Sequence, residues 1–150
     1  MKTKRSIRAQ ILNTGNDNKI IVLRIIVGLV FILEGILKYQ IVSMLGPSYF
    51  KEIGFIHPMF WAYLTGGFEI SCGILLLLGL LTRLAAIPLL VIMITAFITT
   101  KLPLLFNNGI WSFLHEYRLD FSLTLLLILL IIHGSGKWSV DLNILLKKNP

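Results

Sequence analysis

One long apolar stretch with a carboxylate near its middle constrains this chain more than any other feature. The stretch runs from Met59 to Leu81, and Glu69 lies about ten residues from either end, or roughly 15 Å in a helix. Glu69 would therefore lie near the midplane of a hydrocarbon layer about 30 Å thick. A carboxylate at that depth costs about 2.5–3.5 kcal/mol on insertion scales. The rest of the chain must therefore offer Glu69 a partner inside a helical bundle.

The overall composition supports the same class of protein. Of the 150 residues, 56% are hydrophobic and 14% are charged, whereas soluble domains have about 45–50% apolar and about 25% charged residues. Long apolar runs predict an all-α integral membrane protein, a four-helix transmembrane bundle in up-down order. The spans are expected at about residues 20–37, 59–81, 84–100 and 119–133.

The polar segments divide the chain into one membrane domain with two short tails. Residues 1–18 and 147–150 are expected to be basic cytoplasmic tails around a single four-span domain at 19–146. Short amphipathic helices are expected in the first outer connection and at the C-terminus, where Ser139 is a candidate N-cap. Residues 101–118 are expected to form the second outer connection.

The distribution of basic residues predicts the orientation of the chain. The formal net charge is +7, and Lys and Arg concentrate at the ends of the spans. Placing both termini in the cytoplasm puts ten of the 14 basic residues inside, which fits the positive-inside rule. One of these is Arg24, which is expected to snorkel toward the inner interface. We therefore expect a multi-pass membrane protein with both termini in the cytoplasm, whose basic residues meet lipid headgroups and not nucleic acid.

Several polar side chains are candidates for a site in the outer half of the bundle. Glu34 and Glu69 are the candidate proton-exchanging residues, since rise per residue places them within about one turn of each other in depth. Lys38 follows Glu34 in the favourable i, i+4 order, which favours a local ion pair. The other interpretation is a polar site shared by Glu34 and Glu69. The remaining pocket candidates are Cys72, His115 and Asp120.

Simpler interpretations compete for the last three candidates. Cys72, the single cysteine, is three residues from Glu69 and can be a small packed thiol. Asp120 can be a first-turn acid stabilised by the helix dipole. The pair His115-Glu116 begins like a zinc-binding helix motif, but no second histidine follows at i+4, so no metal site is expected.

Motifs in four parts of the chain resemble the DoxX family of small four-span bacterial membrane proteins. They are Arg24–Lys38 with its Glu34-Gly35 pair, Ile53–Pro58, Glu69 with Gly73 and the run Leu78–Ala86, and the ending Gly134-Ser135-Gly136-Lys137-Trp138-Ser139-Val140-Asp141. The ending is similar to Gly-Pro-Gly-x-x-Ser-x-Asp, with Ser135 in place of the usual proline. The resemblance covers nearly the whole chain, and it implies that Glu69 matches the recurring glutamate of the family.

The resemblance implies a role beside redox enzymes, because the family takes its name from proteins tied to quinol oxidase and thiosulfate:quinone oxidoreductase complexes. A membrane subunit of a quinone-linked oxidoreductase or redox-stress complex is therefore expected, with a quinone as the cofactor. The alternative is a non-catalytic assembly factor or accessory subunit, and the second alternative is a small proton-coupled transporter. We expect contact with the lipid bilayer and with a protein partner or a second copy of the chain.

Overall fold

A computed structural model describes residues 18–142, and all regular structure in that range is helical, which confirms the all-α prediction. The elements are α1 (Lys19–Gln40), α2 (Pro47–Glu52), α3 (Pro58–Leu78), α4 (Thr82–Ala96), a π-helical segment (Phe97–Lys101) and α5 (Leu102–His133). A further helical turn begins at Val140 and reaches the end of the described range. Residues 1–17 and 143–150, which include most of the predicted tails and the rest of the predicted C-terminal helix, lie outside the described residues.

Helices α1 and α3 approach each other closely through two pairs of glycines. A Cβ on Gly28 would come within 2.9 Å of the backbone oxygen of Gly73, and one on Gly35 within 2.8 Å of the backbone oxygen of Gly66. Because residue numbers rise along one helix as they fall along the other, α1 and α3 are antiparallel. Each helix carries its two glycines seven residues apart on one face, and these small residues form the contact surface of the helix pair.

A tight turn makes α3 and α4 antiparallel neighbours. Gly79 (φ 64°) and Leu81 (φ 50°) both adopt the left-handed conformation. Glycine suits position 79 for a second reason, since the guanidinium of Arg24 occupies the space that a Cβ would need. The predicted span continued to residue 81, but α3 ends at Leu78 because the left-handed Gly79 already terminates it.

The stretch Thr82–His133 folds back on itself. Arg83 Nη2 donates a hydrogen bond to the backbone oxygen of Ile132 at 2.8 Å. A straight helix of these 52 residues would be about 78 Å long, so its ends could not meet. The reversal falls at Gly109 (φ 80°, ψ 175°), the residue inside α5 with non-helical backbone angles. The part of α5 after Gly109 therefore runs antiparallel to α4.

The second outer connection differs from its prediction. The sequence predicts a polar connection over residues 101–118, but helix continues on both sides of Gly109. Aromatic contacts stabilise this arrangement, since the ring of Phe97 lies 5.0 Å from that of Tyr117 between centroids. The last helical segment consequently extends well ahead of the predicted span at 119–133.

Within residues 18–142, three stretches are long and apolar enough to cross a membrane: Lys19–Gln40, Pro58–Leu78 and Thr82–His133. Because the third doubles back, the described part of the chain has four long helical segments in up-down order. Their apolar core is centred on fully buried side chains: Val27, Leu76, Ala86, Leu89, Leu127 and Leu130. Many large apolar side chains point outward and remain exposed, as a lipid-facing surface requires.

Candidate functional site

The buried carboxylate of Glu69 has a cationic partner on another helix. Lys38 Nζ donates to both carboxylate oxygens, at 2.9 Å from Oε1 and 2.6 Å from Oε2. The Glu69 side chain is only 4% exposed and that of Lys38 14%. Helix α1 thus supplies the partner that the buried Glu69 requires, and this ion pair joins α1 to α3 beside the glycine contacts.

The i, i+4 spacing suggested an ion pair between Lys38 and Glu34, but the structure does not contain that pair. Lys38 pairs with Glu69, whose desolvated charge gains more from a buried ion pair than the partly exposed Glu34 would. Glu34 nevertheless lines the same cavity as Glu69. The structure therefore favours the other interpretation, in which the two glutamates share one polar region.

These residues line a cavity of about 900 Å³. Most of its walls are apolar, and all four long helical segments contribute to them. Small-molecule sites typically have volumes of about 300–1,000 Å³ and mostly apolar walls with a few polar groups. The charged side chains of the wall are Glu34, Lys38 and Glu69 from α1 and α3, with Lys101, Glu116 and Asp120 from the π-helical segment and α5.

A second charged cluster forms where the α4–α5 hairpin meets the cavity. Lys101 Nζ lies 3.5 Å from Asp120 Oδ2 and 3.6 Å from Glu116 Oε2. Asp120 was a sequence candidate, whereas Lys101 and Glu116 were missed. The i, i+4 spacing of Glu116 and Asp120 places them on one helical face and could have linked them. The position of Lys101 depends on the reversal at Gly109.

The first outer connection covers part of the cavity. It contains the predicted short helix, α2, whose Phe50 is buried while Tyr49 and Phe50 both line the cavity. The ring of Phe55 lies 5.4 Å from Phe50 and 6.1 Å from Trp61, measured between centroids. This row of aromatic contacts holds the connection against the start of α3.

Two of the candidate pocket residues lie away from the cavity. Cys72 is 6% exposed and belongs to the apolar core, so its environment matches the simpler interpretation of a packed thiol. His115 is exposed on α5 and does not line the cavity, because one helical residue turns it about 100° from Glu116. Among residues 18–142, no group of three His, Cys, Asp or Glu side chains is placed to hold a metal ion.

A separate group of buried polar residues lies at the opposite end of the bundle. Arg24 is 1% exposed, and its Nη2 donates to the backbone oxygen of Trp138 at 3.0 Å. The prediction that Arg24 snorkels to the interface is therefore wrong. Asp141, which is also buried, contributes an opposite charge nearby. Arg24 thus joins α1 to the segment that follows α5.

The same segment begins the last helical turn. The backbone N–H of Leu142 donates to Ser139 Oγ at 3.2 Å, so the predicted N-cap at Ser139 is confirmed. Ser139 Oγ also donates to the backbone oxygen of Gly136 at 2.9 Å. The motif at residues 134–141 therefore has a structural role, closing the end of the bundle opposite the cavity.

Fold and site together define a small helical membrane protein whose bundle contains a cavity with ion pairs in its walls. The chain belongs to the DoxX family, whose sequence model matches residues 20–102. It is 44% identical over 138 residues to "Uncharacterized membrane protein Rv3486" of Mycobacterium tuberculosis (strain ATCC 25618 / H37Rv), covering 88% of this chain and 85% of that protein. It is 32% identical over 122 residues to "Putative oxidoreductase CatD" of Bacillus subtilis (strain 168), covering 81% of this chain and 83% of that protein. No solved structure matches the chain significantly.

Proposed function

We propose that this protein is the membrane subunit of a quinone-linked oxidoreductase and that its cavity binds the quinone headgroup. The observation that carries the proposal is the Lys38–Glu69 ion pair in the wall of a largely apolar cavity. A quinone combines an apolar ring with carbonyl oxygens, so its site needs apolar walls and a few polar groups. The name of the Bacillus subtilis relative supports a redox role.

The charged residues of the cavity suit two tasks. Lys38 has three N–H donors and can donate to a carbonyl oxygen of the ring. Glu69 and Glu34 can hold or release a proton inside the bundle, where water is scarce. A bound quinone would supply two-electron redox chemistry, with the electrons coming from a reduced partner protein of the same complex. Glu34 and Glu69 would hold the protons that this chemistry requires.

The proposal includes a place in the cell. We assign the protein to the bacterial inner membrane with both termini in the cytoplasm, since that arrangement satisfies the positive-inside rule. The end that contains Arg24 and Asp141 then faces the cytoplasm. The cavity then lies in the outer half of the membrane. The reduced partner protein belongs to the same oxidoreductase complex as this subunit.

Tryptophan fluorescence of the purified protein in mild detergent tests this proposal. Trp61 lines the cavity, whereas Trp111 and Trp138 are 82% and 80% exposed. In the Trp111→Phe/Trp138→Phe background, Trp61 becomes the single reporter. Decylubiquinone is expected to quench its fluorescence saturably, and quenching that stays linear with concentration would contradict the proposal.

Charge variants in the same background locate the site. Glu69→Gln and Lys38→Met are expected to weaken decylubiquinone binding at least about tenfold, the effect of losing a hydrogen bond to a charged group. The matched controls are Glu52→Gln and Lys51→Met, since both side chains are exposed on α2 and neither lines the cavity. Equal effects of the site variants and the controls would place the ligand elsewhere.

A further inference from the structure

The cavity has charged groups on two separate halves of the chain. We infer that its ligand is held between two polar poles and that its class is a ring with hydrogen-bond acceptors at both ends, such as a para-quinone. The first pole is Lys38 with Glu69, and the second pole is Lys101 with Asp120 and Glu116. This inference rests on the proposed function and adds the second pole to it.

The two poles lie about one helical turn apart in depth. Helices α3 and α5 finish at the same end of the bundle, since the part of each that crosses it runs antiparallel to the helix before it. Glu69 precedes Leu78, the last residue of α3, by nine residues, and Asp120 precedes His133, the last residue of α5, by 13, or about 14 and 20 Å at about 1.5 Å per residue. The second pole therefore lies about 6 Å further from that end, in the wall of the same cavity.

The two poles also share their construction. In each, a lysine near the end of one helical segment reaches a carboxylate on the antiparallel segment that follows the outer connection: Lys38 reaches Glu69, and Lys101 reaches Asp120. The lysine side chains are similarly shielded, at 14% and 18% exposure. Each half of the chain thus presents one ammonium group to the cavity.

The second pole has donors to spare for a ligand. The separations of Lys101 Nζ from Asp120 and Glu116 are 3.5 and 3.6 Å, longer than the 2.7–3.2 Å or so of a normal N–H···O hydrogen bond. Lys101 is therefore held mainly by charge, and its three N–H groups can turn toward an acceptor. A ligand that reached both poles would connect the α1–α3 pair to the α4–α5 pair.

A comparison of two ligands tests the inference. Menadione has two carbonyl groups on opposite sides of its ring, whereas alpha-tetralone has the fused ring system with a single carbonyl. We expect the protein to bind menadione at least about tenfold more tightly, since only menadione can engage both poles. Menadione binding is read from Trp61 fluorescence, and alpha-tetralone is measured by displacement of menadione.

Substitution of Lys101 shows whether the second pole causes that preference. Lys101→Met is expected to weaken menadione binding about tenfold and to change alpha-tetralone binding less than about twofold. Lys101→Met/Asp120→Asn, which also removes the charge left behind, should lose the preference in the same way. Lys51→Met serves as the control, because that lysine is exposed and lies outside the cavity wall.

The outcomes separate the second pole from the proposed function. If both Lys101 variants keep the menadione preference while Lys38→Met still weakens binding, the inference of a second pole is wrong and the proposed function stands. If the wild-type protein binds neither menadione nor decylubiquinone, the proposed function and the second pole are both overturned. Loss of the preference in both Lys101 variants, with the control unchanged, supports the second pole.

Discussion

The carboxylate of Asp141 lies 2.8 Å from the backbone nitrogen of Leu81, although 60 residues separate them in the chain. Its other oxygen accepts a hydrogen bond from the backbone N–H of Thr82 at 3.2 Å. These N–H groups open α4 and have no acceptor within that helix. Asp141 therefore caps α4 from a distant segment and fixes the α3–α4 turn to the end of the described chain.

Asp141→Ala is expected to lower the free energy of unfolding by about 3 kcal/mol. The substitution removes a buried helix cap and leaves the two backbone N–H groups at the start of α4 without their acceptor. Denaturant titration of the protein in detergent micelles, followed by circular dichroism, measures the change. Glu52→Ala is the control, because that carboxylate is exposed and makes no ion pair within residues 18–142. A loss below about 0.5 kcal/mol for Asp141→Ala would argue against the capping role.

Gly79→Ala is expected to destabilise the protein more than a left-handed backbone alone requires. Residues 79 and 54 are both glycines with positive φ, at 64° and 86°. An added Cβ at Gly54 has no atom within 4 Å, whereas at Gly79 it overlaps the guanidinium of Arg24. Gly54→Ala should therefore cost about 1–2 kcal/mol for strain, and Gly79→Ala clearly more, because Arg24 must move. Equal losses of unfolding free energy in the two variants would mean that the Arg24 guanidinium can move aside without cost.

The chain's helical class and the need for a partner at Glu69 could be predicted from local pattern, because hydropathy and helical spacing are local properties. The identity of that partner could not. Local spacing favoured Lys38 with Glu34, but burial of Glu69 decides the competition in the folded bundle. The seven-residue spacing of the glycines on α1 and α3 is likewise a local pattern, since close helix packing leaves that sequence signature.

The features that the sequence left unpredicted are contacts made at long range. Snorkelling describes an arginine on an isolated span, whereas Arg24 meets the carbonyl of Trp138, 114 residues later. The polar run over residues 101–118 indicated an outer connection but not its helical structure. In the structure the chain reverses at Gly109, and Phe97 and Tyr117 pack together across the hairpin. Neither contact has a signal in the sequence near the residue concerned.

Gly73→Ala is expected to push α1 and α3 apart and to weaken ligand binding as well as stability. The added Cβ would lie 2.7 Å from Ile32 Cγ1 and 2.9 Å from the backbone oxygen of Gly28. Overpacking of this kind costs about 1–3 kcal/mol. The control is Gly67→Ala on the same helix, where the nearest atom is the hydroxyl oxygen of Tyr39 at 3.5 Å. Unfolding and decylubiquinone titrations of both variants check the expectation, which fails if Gly73→Ala behaves like Gly67→Ala.

Lys38 and Glu69 are expected to be strongly coupled in stability. Lys38→Met leaves the nearly fully buried Glu69 charge unpaired, and Glu69→Leu leaves Lys38 unpaired, so each should lower the free energy of unfolding by about 3–5 kcal/mol. The double variant removes both charges and should cost much less than the sum of the two single losses. A double-mutant cycle of denaturant unfolding in micelles measures the coupling. Simple additivity would show that the ion pair does not hold α1 against α3, and the glycine contacts would then have to account for the packing of that helix pair.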